Sequence, residues 1–345
     1  MNLPASSTTE LPVAVHIHPS QFPHAIEAAF RESLRSRRMN HKFHYDTPKQ
    51  ALRWLRVHEA FSPARQDSSC QAAYRTGAQA AAELLGAERV ELVSLGCGGG
   101  QKELELLRAL RMAHSSRSLA YVPADVSPSL TLVARAAAVE AQLVRAEDCA
   151  PVVLDLAETK DWREALAIVS RPGLRRLVTF FGMMPNFTPG QVLPRLAGLL
   201  QPGDALLVSA NLAPGEDYAA GVRQVLPLYD NALTGEWLFS VLADLGVTWP
   251  DGRMKFRAAA CPEGSGLLRI EADFVLDRDC AVTYGGEEWR FRAGDRFGLF
   301  YSYRHTPERV KGLFSSHGLT LQAQWLNRAG DEGVFLLQRS AQLAA

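Results

Sequence analysis

The sequence predicts an α/β protein that combines a doubly wound, mostly parallel sheet with a second part of α+β type. Three observations lead to this prediction. Short apolar runs alternate with helical patterns between residues 90 and 211. Glycine-rich or aspartate-ended turns follow several of these runs, as expected where parallel strands lead into helices. From residue 266 to residue 304 the pattern changes to antiparallel strands with a two-glycine turn.

The chain is predicted to begin with an arm and helices. Residues 1–20 contain Ser, Thr and Pro without periodicity and predict a flexible arm. Apolar residues then recur at helical spacing in residues 23–37, 48–60 and 70–85. Gly86 follows the third helix and provides a natural C-cap.

The parallel sheet is predicted from five apolar runs, because strands that are covered on both faces are continuously apolar. The strands are residues 90–95, 119–124, 152–154, 177–181 and 205–210, and the helices after the first four are 101–112, 128–140, 162–170 and 187–200. Ser127 and Pro128 supply the N-cap and the first position of the second of these helices. Strand and helix therefore alternate as in a doubly wound fold.

After residue 211 the alternation ends, and the pattern indicates a different architecture. The predicted elements are a helical stretch that Pro227 interrupts (216–246), antiparallel strands (267–276, 281–291 and 296–304), a helix (307–316) and a final hairpin (320–326 and 334–339). The Gly285-Gly286 pair inside the second strand is a hairpin turn signal.

Composition and charge exclude several classes of protein. The 345 residues include 37 basic and 37 acidic side chains, and this balance argues against nucleic acid or an anionic membrane as the main partner. At 47% hydrophobic residues the chain has ample material for a core, which excludes disorder. No apolar run approaches roughly 18 residues and the first residues do not resemble a signal peptide, so we expect a cytoplasmic protein without a membrane span. The five cysteines form no CxxC pair and predict neither a disulfide framework nor a zinc site.

The strongest functional signal is the glycine loop Gly96-x-Gly98-x-Gly100, directly after the first predicted strand and before a helix. Glycines there allow a tight turn and close approach to a ligand, and the helix N-terminus offers free N–H groups. A purely structural turn is the alternative for the glycines alone. A dinucleotide fingerprint would have its third glycine where this chain has Gln101, so the loop favours a cofactor without a pyrophosphate.

Two aspartates follow the next two strands. Asp125 ends the second strand, where a carboxylate can accept bonds from both ribose hydroxyls of an adenosyl group. Asp155 ends the third strand, where a side chain can reach an adenine amino group. Each aspartate alone is as readily a helix cap, but both lie beside the glycine loop, in the crevice where open α/β sheets bind ligands.

This combination resembles the class I S-adenosylmethionine-dependent methyltransferases, with their Rossmann-like sheet and with motif I at residues 93–100. Further segments are similar to the histidine Nα-methyltransferases of the ergothioneine pathway. They are residues 42–46 (KFHYD), the loop GGGQK ending at Lys102, 121–127 (YVPADVS), 181–189 (FGMMPNFTP), 201–207 (QPGDALL), Tyr229-Asp230 and 302–308 (SYRHTPE). The resemblance covers about residues 41–345 in order. The glycine loop is common to many methyltransferases, whereas the Tyr-Asp and Asn-x-Thr-Pro segments are more specific.

The resemblance implies a domain division. Residues 66–211 plus 305–345 would bind S-adenosylmethionine, and residues 21–65 plus 212–304 would bind the substrate. It also implies three groups of site residues: Gly96, Gly98, Gly100, Lys102, Asp125, Asp155 and Leu156 for the cofactor, Tyr45, Asn186 and Tyr229 for catalysis, as acceptors that orient the N–H groups of an amine, and Phe61, Phe300 and Ser302 for the substrate. Trp237 is added to the substrate candidates because it lies near Tyr229 in the sequence, with a core position as the simpler interpretation.

Two positions depart from the family pattern. Where the resemblance implies a glutamate that grips the imidazole, two residues before a serine, this chain has Phe300 before Ser302. Where it implies a tyrosine, the chain has Phe61. A buried imidazole N–H without its partner costs about 1–3 kcal/mol, so we expect a flatter or more apolar substrate than histidine.

Other residues have simpler interpretations. The His16-x-His18 pair has no third ligand nearby, so no metal site is predicted. His41 is interpreted as a surface or supporting residue, Trp54 as core, and Cys97 as a small packed residue rather than a nucleophile.

The predicted function is methyl transfer from S-adenosylmethionine to a nitrogen of a small amine or amino-acid-like metabolite. The alternatives are O- or C-methylation of a small metabolite, a nucleotide-linked oxidoreductase, which the missing third glycine disfavours, and a catalytically silent cofactor-binding protein. The expected partner is a small molecule, not nucleic acid or a membrane, and a monomer is favoured because no long amphipathic stripe stands out.

Overall fold

The central sheet and its helices are assembled from short elements in the order that the sequence predicts. A computed structural model of the chain describes residues 12–86, 89–115, 118–262 and 264–339. The helices in these residues are α1 (Pro23–Ser36), α2 (Pro48–Phe61), α3 (Pro63–Gln66), α4 (Ser68–Leu85), α5 (Gln101–Ala113), α6 (Pro128–Glu140), α7 (Trp162–Ala167), α8 (Pro189–Leu199), α9 (Tyr218–Val225), α10 (Ala232–Ala243) and α11 (Pro307–Ser315).

The strands follow the same order along the chain. They are β1 (His16–Ile17), β2 (Arg89–Leu95), β3 (Ser118–Asp125), β4 (Val152–Val153), β5 (Arg175–Phe180), β6 (Ala205–Asn211), β7 (Gly252–Ala260), β8 (Leu268–Leu276), β9 (Cys280–Tyr284), β10 (Glu287–Phe291), β11 (Arg296–Arg304), β12 (Leu319–Leu326) and β13 (Glu332–Arg339).

The large sheet has the strand order β1-β4-β3-β2-β5-β6-β13-β12. Strands β1 to β6 pair in parallel, β13 pairs antiparallel with β6, and β12 pairs antiparallel with β13. The strand order reverses between β2 and β5, which places a crevice at the carboxyl ends of these strands. The predicted doubly wound fold is confirmed.

Helices cover both faces of this sheet, so its strands are buried. On one face Trp162 of α7, Leu193 of α8 and Phe314 of α11 belong to a single apolar cluster with the strands. On the other face α4, α5 and α6 contribute a second cluster that includes Ala81 and Leu106. This double cover explains why the strands read as continuous apolar runs rather than as alternating ones.

The second part of the molecule is built around a three-stranded antiparallel sheet in the order β11-β8-β7. Its core combines Phe30 of α1, Trp237 of α10, Phe274 of β8 and Phe297 of β11. The sheets thus have separate apolar cores. The residue numbers proposed for the domain boundaries stay a prediction.

Three elements differ from the sequence prediction. The flexible arm predicted for residues 1–20 is wrong for its described portion, because β1 pairs with β4 and the His18 N–H donates to Val153 O at 2.9 Å; residues 1–11 lie outside the described residues. Strand β7 was not predicted, although it pairs with β8 along its whole length. The predicted strand 281–291 is the hairpin β9–β10. A two-residue strand carries no periodicity, so only its partner reveals β1. In β7 the alternation of Met254, Phe256 and Ala258 with charged residues was a signal that the prediction did not use.

Candidate active site

A cavity of about 490 Å³ lies at the carboxyl ends of the parallel strands, against residues of the second part. Every candidate residue named from the sequence borders this cavity. The cofactor candidates lie on the side of the glycine loop, and the substrate candidates lie on the side of α2, α10 and β11. The chain therefore brings together in space residues as far apart in sequence as Tyr45 and Ser302, as expected at a topological switch point.

The glycine loop turns tightly between β2 and α5. Gly96, Gly98 and Gly100 all have positive φ angles (74°, 50° and 74°), a conformation that side chains other than glycine rarely adopt. A Cβ atom on Gly98 would lie 2.8 Å from the Trp54 ring, and one on Gly100 would lie 2.8 Å from Ala134 Cα. The glycines are therefore required by both backbone conformation and close approach.

Asp125 fastens this loop to the end of β3. Its Oδ2 accepts the Gly98 N–H at 3.0 Å, and its Oδ1 accepts the Ser127 N–H at 3.0 Å. Burial raises the pKa of Asp125, while the backbone hydrogen bonds from Ser127 and Gly98 oppose that rise. The carboxylate of Asp125 therefore lies against the glycine loop and holds the loop backbone in place.

Asp155 lies at the next strand end, and its two oxygens differ. Oδ1 accepts the N–H groups of Ala157 at 2.9 Å and Glu158 at 3.3 Å. Oδ2 is buried and accepts no hydrogen bond from the described residues, although Lys42 Nζ lies 3.3 Å away. Leu156 is also held, since its carbonyl accepts the Trp162 Nε1–H at 3.1 Å. Oδ2 is the oxygen with capacity for a ligand.

Lys102 lies in the first turn of α5, beside the glycine loop. Its Nζ donates to Tyr74 OH at 2.9 Å and lies 4.6 Å from the centre of that ring. The Tyr74 hydroxyl in turn forms a short hydrogen bond to Glu332, and burial raises the pKa of Tyr74. Lys102 is therefore held at the cavity by a neutral phenol.

Aromatic residues form a wall of the cavity that begins at the glycine loop, where Trp54 lies against Gly98. The Tyr45 ring lies 5.8 Å from Trp54 and 5.5 Å from Trp237, both edge-on. The Trp237 Nε1–H donates to His44 O at 2.8 Å, which fixes the indole. Burial raises the pKa of Tyr45, and the nearby charge of Asp125 adds to this rise. Tyr45 is a neutral phenol at physiological pH.

The Tyr229 hydroxyl is the centre of a hydrogen-bond network. It accepts from Arg304 Nη2 at 2.6 Å and from Asn211 Nδ2 at 3.1 Å, and it lies 2.9 Å from Ser302 Oγ. With two donors on its oxygen, the hydroxyl gives its own proton to Ser302 Oγ. The role of N–H acceptor expected for Tyr229 is therefore not available in this arrangement, and the O–H of Ser302 is the donor that this network leaves at the cavity.

Phe300 occupies the position where the family resemblance implies glutamate. It is buried and stacks on His41 with ring centres 5.1 Å apart and planes at 19°. Trp237 lies edge-on at 5.8 Å, and Tyr229 is tilted at 6.2 Å. Phe61, at the end of α2, also borders the cavity and is half-buried. The residues at this end of the cavity are mainly aromatic, and Ser302 is a polar residue among them.

Asn186 ends a 3₁₀ turn after β5 that begins at Met184. Its backbone N–H donates to Met183 O at 2.9 Å, which places the residue at the cavity wall. The side chain is half-buried, and no described residue hydrogen-bonds to its amide. The amide is available to a ligand as both donor and acceptor.

The histidines that border the cavity are uncharged at neutral pH. Burial lowers the pKa of His41 to about 3, with the charges of His44 and Arg269 adding to the effect. Burial likewise lowers the pKa of His58 to about 3, helped by Lys102 and Arg65. His41 Nε2 accepts the Tyr301 N–H at 3.3 Å. Neither histidine is a strong base.

Sequence reasoning missed several residues of this site. Lys42 and Arg304 are buried and border the cavity. Both lie inside sequence segments that carry the family resemblance, and this position was the signal that could have identified them. Trp54 was interpreted as core and His41 as a surface or supporting residue, yet both border the cavity. Cys97 is packed, and burial raises its pKa well above the usual range.

Metal-binding clusters and membrane-spanning helices are two further features that the described residues can be examined for. Within residues 12–86, 89–115, 118–262 and 264–339, no group of three or more His, Cys, Asp or Glu side chains is arranged to hold a metal ion. No helix among these residues is both long and apolar enough to cross a membrane.

Comparisons with known proteins agree with this geometry. A family model described as histidine-specific, S-adenosylmethionine-dependent methyltransferase matches residues 71–339. The chain belongs to this family. It is an S-adenosylmethionine-dependent methyltransferase, and the class I methyltransferase fold and the cofactor inferred from the sequence are confirmed.

Two curated relatives are histidine N-alpha-methyltransferases. The protein of Mycobacterium tuberculosis is 31% identical over 274 residues, which cover 74% of this chain and 77% of the relative. The protein of Mycolicibacterium smegmatis is 29% identical over 276 residues, which cover 75% of this chain and 78% of the relative. Among solved structures, an S-adenosylmethionine-dependent methyltransferase from Clostridium acetobutylicum has a TM-score of 0.44 at 10% identity, over 84% of this chain and 98% of that chain.

We expect Asp125→Ala in this methyltransferase to weaken binding of S-adenosylhomocysteine by about 1.5–3 kcal/mol, because a charge-assisted acceptor is lost. The variant also removes the acceptor of the Gly98 N–H, so the glycine loop loosens. Isothermal titration calorimetry measures the affinity. Asp161→Ala, at the exposed cap of α7, is the control. Equal affinity of Asp125→Ala and the unmodified protein would remove Asp125 from the cofactor site.

The lowered pKa of His58 predicts a pH dependence of stability. The folded protein holds His58 neutral to about pH 3, whereas the unfolded chain binds a proton below about pH 6.5. Above about pH 6.5 His58 is neutral in both states and does not lower the free energy of unfolding. As the pH falls below this value, protonation of His58 in the unfolded chain lowers the free energy of unfolding progressively. We expect His58→Gln to make the free energy of unfolding fall less steeply with decreasing pH, by up to about 1.4 kcal/mol per pH unit.

Urea unfolding at several values between pH 7 and pH 4.5 measures this slope. His24→Gln, at an exposed position of α1, is the matched control and is expected to keep the slope of the unmodified protein. Identical slopes for His58→Gln and the control would contradict a buried, neutral His58.

Proposed function

We propose that this methyltransferase transfers a methyl group from S-adenosylmethionine to a nitrogen of a small amine or amino-acid-like metabolite, and that histidine is not its substrate. The observation that carries the second point is the stack of Phe300 on His41. An aromatic ring there offers no acceptor for an imidazole N–H, whose burial without a partner costs about 1–3 kcal/mol.

The cofactor assignment is supported by the chemistry of the residues on the glycine side. Three glycines leave the backbone open, Asp125 supplies a carboxylate at the loop, and Asp155 Oδ2 is a buried acceptor without a hydrogen bond in the described residues. Leu156 and Lys102 complete this side of the cavity. When bound, the cofactor supplies an activated methyl group on a positively charged sulfur.

A nitrogen acceptor is favoured over an alcohol by the weak bases at the cavity. An alcohol must lose its proton during transfer, which calls for a base with a pKa near the working pH. His41 and His58 have pKa values of about 3. An amine that enters unprotonated needs orientation alone, and surrounding aromatic rings favour this neutral form by excluding water.

The substrate side offers complementary hydrogen-bonding groups. Asn186 has a free amide carbonyl that can accept an amine N–H, and Tyr45 is a neutral phenol in the same cavity lining. Ser302 can donate to a lone pair of the substrate, since its oxygen accepts the proton of Tyr229 while Arg304 and Asn211 donate to Tyr229. Phe61, Trp237 and Phe300 offer apolar contact, with Ser302 as a polar neighbour. This set favours a flat or apolar substrate that carries one amine and one acceptor group.

We expect Asn186→Ala to lower the rate of methyl transfer at least about tenfold, the effect of losing a hydrogen bond that orients the nucleophile. The affinity for S-adenosylhomocysteine should stay nearly unchanged. Methyl-labelled S-adenosylmethionine with a panel of histidine, tryptophan, tyrosine and a small-metabolite extract, read by mass spectrometry, measures transfer. Gln322→Ala, at an exposed amide of β12, is the control.

The same panel decides between the candidate functions. Label on histidine would contradict the exclusion of histidine, and label on another compound would identify the substrate. Equal loss of transfer and of cofactor affinity in Asn186→Ala would contradict the role given to that residue. Tight cofactor binding without label on any compound would favour a silent homologue.

We expect Phe300→Glu to increase methyl transfer to histidine by about tenfold or more, because a carboxylate can accept the imidazole N–H. Phe300→Ala is the matched control, since it removes the ring and adds no acceptor. The labelled-methyl assay with histidine measures both. Similar rates for the glutamate and alanine variants would show that the missing carboxylate is not what excludes histidine.

A further inference from the structure

Lys42 is a buried lysine between the cofactor side and the substrate side of the cavity. Its side chain is 3% exposed, and Nζ lies 3.3 Å from Oδ2 of Asp155, whose side chain is 5% exposed. Lys42 belongs to the 3₁₀ turn His41–His44, whereas Asp155 follows β4 of the central sheet. The ion pair therefore joins the Tyr45 segment to the edge of the proposed cofactor site.

This ion pair has unused hydrogen-bonding capacity. Neither Lys42 Nζ nor Asp155 Oδ2 forms a hydrogen bond with any residue that the structure describes. Burial of two charges is unfavourable unless their remaining donors and acceptors are also satisfied. Both residues border the cavity. A ligand with polar atoms on this side would complete the pair.

The backbone of Lys42 also holds the Tyr45 segment. Its carbonyl accepts the N–H of Tyr45 at 2.9 Å and that of Asp46 at 3.0 Å. Its own N–H donates to Asn40 Oδ1 at 3.1 Å. Because one residue carries both the buried ammonium and these turn bonds, a restraint on the ammonium also restrains the turn.

The Tyr45 ring is restrained at its other end by the aromatic wall. Trp54 and Trp237 flank it edge-on, and the Trp54 ring lies where a side chain on Gly98 would be. Tyr45 is thus linked to the glycine loop by packing and to Asp155 by Lys42. The packing contact is apolar, so of these two links the charged one responds most directly to a polar ligand.

We propose that Lys42 is a positioning residue that couples cofactor binding to the placement of Tyr45. Occupation of the cofactor side completes the Lys42–Asp155 pair, reduces the freedom of the 3₁₀ turn and fixes Tyr45 before the substrate enters. Coupling of this kind needs no large movement, because ordering by the first ligand lowers the entropy loss on binding the second. The proposal rests on the proposed function only in assigning Asp155 to the cofactor site.

Hydrogen–deuterium exchange with and without S-adenosylhomocysteine tests this coupling. In the unmodified protein we expect saturating S-adenosylhomocysteine to slow exchange of the Tyr45 and Asp46 amides at least about fivefold, the lower end of typical coupling between sites. Calorimetry in parallel confirms that each protein is saturated. Neither measurement requires the methyl acceptor to be known.

Variants separate coupling from a merely structural role. Lys42→Met removes the ammonium and leaves the Asp155 carboxylate in place for the cofactor; it is expected to bind S-adenosylhomocysteine and to show less than about twofold slowing. Lys42→Arg keeps the pair and is expected to retain the slowing. Lys49→Met, which breaks an exposed ion pair with Asp244, is the matched control and should also retain it.

Full slowing in Lys42→Met would overturn the proposal, as would the absence of slowing in the unmodified protein when it is saturated. Loss of S-adenosylhomocysteine binding in Lys42→Met would also overturn it, because Lys42 would then hold the ligand rather than transmit its presence. Absence of binding to the unmodified protein would instead refute the cofactor site itself.

Discussion

The carboxylate of Asp125 accepts the N–H of Gly98 and that of Ser127, and this pair of hydrogen bonds joins the ends of two parallel strands. The three left-handed glycines have no room for side chains, because Met183, Trp54 and Ala134 lie where their Cβ atoms would be. The N–H groups of Gly96, Gly98 and Gly100 already have partners within the protein, so the loop is fixed and offers a ligand a close backbone surface. The cofactor side of the cavity depends on this constraint.

The substrate side depends on residues from distant parts of the chain. Arg304, near the end of β11, donates to Tyr229 and to the Leu212 carbonyl, so one buried guanidinium links the second part to the strand end at β6. Because Arg304 and Asn211 both donate to the Tyr229 oxygen, the hydroxyl directs its own proton to Ser302, and the O–H of Ser302 becomes the donor at the cavity. Selectivity in such a cavity comes from the direction of hydrogen bonds as much as from its shape.

Phe300 is the residue on which the proposed change of methyl acceptor rests. Its ring stacks on the neutral imidazole of His41, and Trp237 lies against it. Burial lowers the pKa of His41 and keeps the stack uncharged. The family fold and the cofactor side are retained, whereas the far end of the cavity is aromatic. This aromatic end is consistent with the proposal that the protein uses the family's methyl donor but a different methyl acceptor.

The sequence by itself determined the parallel sheet, the glycine loop and the aspartates at the strand ends, because buried strands, turns and caps have local signatures. It did not determine β1, which has only two residues and exists through pairing with β4. Nor did it determine the roles of Lys42 and Arg304, since a charged residue looks the same in sequence whether it is solvated or buried. Their partners, Asp155 and Tyr229, lie far along the chain, and only the tertiary structure decides which charges meet.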